Sequence, residues 1–95
     1  MNSERAQIIA LQALGWLAAH DELSAVFMGA SGTSVDDMRM RAVDPAFQAS
    51  VLEFLTMDDA WVIEFCDAHD CKYEEPLKAR YALPGADMTG LADFQ

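Results

Sequence analysis

Three side chains able to bind a soft metal or attack an electrophile fall within six residues, in Cys66-Asp67-Ala68-His69-Asp70-Cys71. Cys66 and His69 are three residues apart, so a helix would place them on one face. Zinc takes four ligands, commonly from two separated pairs. The sequence offers no second pair, because His20 is the only other histidine and no further cysteine exists. A thiol nucleophile with His69 as its base would need a third group such as Asp67 or Asp70 to orient the pair. Those same carboxylates raise a thiol pKa and disfavour the reactive thiolate. Cys66 also continues an apolar stripe, where free cysteine behaves as a small buried hydrophobe. The expectation is therefore no catalytic residue, no metal ligand and no cofactor. A Cys/His metal-binding protein is kept as an alternative.

Other chemistries are met by similar objections. Gly29-Ala30-Ser31-Gly32 lacks the lysine and the preceding strand of a phosphate loop. The helical segments on either side of it resemble a helix-turn-helix. However, the positions that would read base edges hold Val35, Asp36 and Asp37, with only Arg39 and Arg41 to offset them. A net charge of −10 disfavours nucleic acid and anionic membrane surfaces alike. Two cysteines are too few for a disulfide framework and read as free thiols in a reducing cytoplasm. From Ala6 to Ala19 only Gln7 and Gln12 are distinctly polar, a run too short to span a bilayer. Glu4 and Arg5 cancel ahead of it, unlike the positive start of a signal peptide.

The elements that would position these residues are helices. Hydrophobic residues make up 53% of the chain, against three prolines and five glycines, which suits a packed helical core. Ser3 is read as the cap of a helix over Glu4–Ala19 whose Ile8, Ile9, Leu11, Leu14, Trp16 and Leu17 wrap most of its circumference. Such a helix is expected at the centre, buried on most sides. Leu23, Val26, Phe27 and Ala30 give a stripe for Glu22–Gly29, ended by the glycines up to Gly32. Ser34 with Asp37 forms a capping box for a short helix with Val35, Met38 and Ala42 inward. Asp44-Pro45 starts a fourth helix, to about Thr56, burying Phe47, Val51, Phe54 and Leu55. A fifth, Asp59 to about His69, turns Val62, Phe65, Cys66 and His69 inward. Tyr73, Leu77 and Tyr81 mark a sixth, halted at Leu83-Pro84-Gly85. The fold expected is an all-α compact bundle of five or six short helices, a single domain over 1–85 with a flexible tail over 86–95. Ten of the acids, Glu4, Asp21, Glu22, Asp36, Asp37, Asp44, Asp58, Asp59, Glu74 and Glu75, fall at helix starts, where carboxylates offset unpaired N–H groups and the helix dipole.

In order and spacing, Leu11-Gln12-Ala13-Leu14-Gly15-Trp16-Leu17-Ala18, the run Phe27 to Arg39, Asp44-Pro45-Ala46-Phe47, Val51-Leu52-Glu53-Phe54-Leu55, Phe65 and Ala79-Arg80-Tyr81-Ala82-Leu83-Pro84-Gly85 resemble the DUF3572 family of uncharacterised proteins, found mainly in alphaproteobacteria. The resemblance covers roughly residues 6 to 85. It implies a small helical bacterial protein and carries no activity or catalytic residues to transfer. The chain departs from the family pattern at Asp70, where a glycine closing helix five is expected, and at Cys71, where a Leu-like residue is usual.

Large apolar residues are in surplus for a bundle this small. Trp16, Met40, Met57 and Trp61 form the candidate interaction surface, with an unknown protein partner or a second copy as the occupant. Met88, Leu91 and Phe94 recur every three residues and form a candidate docking element in the tail. The function expected is a non-enzymatic protein-interaction module or small homo-oligomer of the cytoplasm. The alternative is an acidic decoy of a nucleic-acid-binding protein, which requires one contiguous carboxylate face.

Overall fold

The structure, a computed structural model, describes residues 1–83; the tail over 86–95, with Met88, Leu91 and Phe94, lies outside the described residues. Six helices and no strands occur among the described residues, so the fold is all-α. They are α1 (Ser3–Ala19), α2 (Asp21–Ser31), α3 (Val35–Met40), α4 (Pro45–Leu55), α5 (Asp59–His69) and α6 (Glu75–Ala82).

Each start is set by local chemistry. Asn2, one residue before the expected cap, accepts the Arg5 N–H at 2.8 Å and so begins α1. The Ser34 hydroxyl accepts the Asp37 N–H at 3.2 Å while the Asp37 carboxylate accepts the Ser34 N–H at 3.4 Å, completing the capping box of α3. Asp44 and Asp58 accept the N–H groups of Ala46 and Ala60 at the heads of α4 and α5. Two helices end in left-handed residues, α2 at Gly32 (φ 71°) and α5 at Asp70 (φ 54°). Glycine adopts that conformation freely, whereas Asp is among the few other residues that tolerate it. Asp70 therefore does the work of the glycine that the family resemblance leads one to expect.

The first helix is the hub, packing against α2, α4, α5 and α6, while α4 also packs against α6. Its buried face is Ala6, Ile9, Ala10, Ala13, Trp16 and Leu17. Three of these are alanines, which let neighbouring helices come close to the backbone. Phe65, Leu52, Val51 and Leu83 fill the space against them. Phe27 of α2 meets Phe47 and Phe54 of α4 edge-on, with ring centres 6.0 and 5.2 Å apart.

Several expected inward positions face outward instead. Ile8 and Leu11 remain 46% and 43% exposed, because α1 is covered on its alanine side and left bare opposite. Val26 and Val35 are also more than half exposed. Leu77 and Tyr81 of α6, with Tyr73 in the turn before it, are exposed; Pro76 and Ala79 make the inward contact, again through small residues that allow close approach. The mean apolar stripe misplaces a helix whose contact face is built from alanine.

Replacing Asp70→Gly relieves the left-handed strain and is expected to stabilise the chain by about 0.5–1 kcal/mol, whereas Gly32→Ala costs about 1 kcal/mol. Urea unfolding midpoints of the two variants check this; equal midpoints would show that neither turn constrains the fold.

Candidate functional site

The cysteine–histidine stretch forms the end of α5 and the turn beyond it. The N–H groups of Asp70 and Cys71 both donate to the Cys66 carbonyl, the latter at 3.1 Å. This closing turn folds Cys71 back over the last turn of α5, where a hydrophobic contact commonly accompanies such a cap. Cys66 is fully buried, Cys71 half-buried, and both are free thiols. The Cys66 thiol donates to the Lys72 carbonyl at 3.4 Å. Burial, first, then the neighbouring Cys71 thiol and the Glu75 and Asp67 carboxylates push the Cys66 thiol up to about 12. Cys71 is also raised, chiefly by burial. A surface hollow beside the pair is lined by Asp67, Asp70 and Glu74 as well as Lys72 and Tyr73, and the Tyr73 hydroxyl donates to Asp67 at 2.9 Å.

His69 rests on the Phe65 ring, centres 4.7 Å apart. Among the described residues no hydrogen bond joins His69 to either thiol, and no group of three His, Cys, Asp or Glu side chains gathers around a common point as a metal site. His20 is committed elsewhere: its Nδ1–H donates to the Trp16 carbonyl at 2.8 Å, and Nε2 lies 3.4 Å from Glu64. The geometry at Cys66 thus favours a neutral, packed thiol.

The four candidate surface residues divide. Trp16 is a correction: only 7% of it is exposed, because it belongs to the alanine face of α1 and packs edge-on against Phe65. Trp61 is half-buried and stacks on Phe54 at 5.0 Å. Met40 and Met57 are on the surface, at 79% and 75% exposed. They lie at the end of α3 and in the α4–α5 turn, while Trp16, being buried, adds nothing to an exposed patch.

What sequence reading missed is a groove between α1, α2 and α3. Leu14 and Ala18, Ser24 and Met28, then Val35, Met38, Arg39 and the following Ala42 enclose about 530 Å³. Its walls are mostly apolar, and its size falls in the range of ligand and side-chain docking sites. Of α3, only Met38 is buried. The sequence signal was present in the Met28, Val35 and Met38 set, but assigning Val35 to the core concealed it.

The ten carboxylates all sit at the caps or first turns of six helices, three of them in a capping role at Asp37, Asp44 and Asp58. No described helix is long and apolar enough to cross a membrane. The fold and this surface define a small all-α bundle with a packed thiol pair and an open apolar groove. Residues 3–86 match the family described as "Protein of unknown function (DUF3572)", and the chain belongs to that family. No curated protein and no solved structure matches the chain.

A thiol held at about 12 rather than 9.0 carries about 10³ less thiolate at pH 8, so alkylation of Cys66 in the native chain is expected to be slower by about that factor than in urea. The sign follows from the raised folded value: the unfolded chain ionises first, and Cys66 withdraws stability only as pH climbs from about 9 towards 12. Mass-spectrometric alkylation kinetics decide it; comparable native and unfolded rates would reveal an accessible thiolate.

Proposed function

We propose that the chain is a non-enzymatic interaction module of the bacterial cytoplasm, which presents apolar surface to a protein partner or to another copy of itself. The observation that carries this reading is the groove between α1, α2 and α3, with Val35 on its wall and Met40 on the same short helix. Methionine-rich grooves adapt to the shape of an occupant, because the thioether side chain has three rotatable bonds. An amphipathic segment laid into such a groove would cover apolar surface that water now meets. The packed thiols support the non-enzymatic part of the reading, since a neutral buried thiol is a poor nucleophile.

The decoy alternative draws no support from the carboxylates. Ten of the sixteen are spread over six helix starts, with Asp44, Asp58 and the Ser34–Asp37 pair engaged in caps.

Val35→Glu alters a side chain that is already more than half exposed, so the fold is expected to keep its melting temperature within a few degrees. The same change places a carboxylate on the groove wall and is expected to weaken any assembly at least about tenfold. Light scattering of the pure chain, with co-purification from a bacterial lysate, checks both. A strict monomer that retains no protein in a Val35-dependent way would remove the reading.

A further inference from the structure

We infer that the uncovered face of α1 is a self-association seam, and that its occupant is the same face of a second copy running antiparallel. The inference rests on the interaction reading and commits it to one partner.

The bare side of α1 carries Ile8, Leu11, Gly15 and Ala18, spaced three, four and three apart. That is the spacing by which one helix lays a stripe against another. All four are exposed, and a side chain built at Gly15 would meet nothing within 4 Å. Large residues occupy the first half of the stripe and small ones the second. Two copies turned antiparallel about Ala13 set Ile8 against Ala18 and Leu11 against Gly15, so large side chains fall opposite small ones on both sides of a twofold axis. A twofold interface requires that kind of complementarity of a surface with itself. Two heptads alone make a weak pair. The groove adjoins the stripe through Leu14 and Ala18 and extends the apolar area.

Charge selects the partner. Of 16 acidic and 6 basic residues, only Asp21 and Glu22 lie between residues 6 and 35. The rest of a chain of net charge −10 repels its own copies, and a basic partner would be drawn to those acidic surfaces instead. An uncharged strip on such a chain suits a partner that carries the same sign of charge. A second copy always does.

The test is sedimentation equilibrium of the full chain at low and high salt. Wild type is expected to dimerise, at least about fivefold more tightly in 0.5 M than in 0.02 M salt, because screening removes the repulsion between like-charged bodies. Leu11→Glu is expected to be monomeric at both salts with its helical circular dichroism intact. Gly15→Leu separates seam from fold: it raises the melting temperature, because glycine is a poor helix former, yet lowers dimer affinity at least about tenfold by filling the space Leu11 needs. A wild-type monomer at both salts, a dimer that weakens with salt, or one indifferent to Leu11→Glu and Gly15→Leu overturns the inference. If wild type is a monomer but Leu11→Glu abolishes capture of a different protein, self-association falls while the interaction reading stands. If it is a monomer that captures nothing, both fall.

Discussion

The contact on which the rest of this small bundle depends is the alanine face of α1. Ala6, Ala10 and Ala13 are essentially inaccessible to water, and so is Ile9 between them. Alanine contributes little area of its own to the hydrophobic effect. Its value lies in what it admits, since the backbones of α4 and α6 approach close enough to bring Leu52, Phe65, Ala79 and Leu83 into one cluster. The same economy operates on α6, whose inward contact is made by Pro76 and Ala79. Two faces of small residues thus meet along α1 and α6, and the larger side chains fill the space to either side. A chain of this length has little apolar area to spend, so close approach substitutes for bulk.

That device has a counterpart outside. A helix that uses its small residues inward is left with Ile8 and Leu11 pointing outward, and the surplus appears as surface. The apolar excess evident in the composition is thus not waste spread evenly over the molecule. On α1 it is gathered as one charge-poor stripe, while Met40, Val43 and Met57 stand singly in the later turns and ten of the sixteen carboxylates sit at helix caps and first turns. Cys66 and Cys71 belong to the interior side of this division: they complete the closing turn of α5, where Asp70 holds the left-handed position.

Helix number, order and most boundaries were legible because caps are local chemistry. Ser34 with Asp37, Asp44-Pro45 and Asp58 each announce a helix start within three or four residues, and Gly32 announces a stop. Facing was less legible. A reading that weights large apolar residues assigns Ile8, Leu11, Val26 and Val35 to the core and leaves Trp16 at its edge. The structure reverses all five, since which face is buried depends on the neighbours a helix receives and not on its own stripe. At the cysteine stretch the sequence was more informative. Of the carboxylates that argue against a thiolate, Asp67 does raise Cys66 and Asp70 raises Cys71, although burial contributes more than either. The groove was hidden because it is a property of three helices at once, and no one of them carries its signature.

The reliance of α1 on α6 has a consequence during synthesis. The two helices are the first and last described elements, separated by about 55 residues. At ribosomal rates of about 5–20 residues per second, α1 emerges roughly three to ten seconds before the helix that covers it. Throughout that interval the part of α1 that α6 covers stays open, while α2, α4 and α5 emerge and can pack only against the rest of it. The α1–α6 contact therefore forms only after the other five described helices have been made, and until then the nascent N-terminal third is the segment for which holding chaperones and neighbouring nascent copies compete.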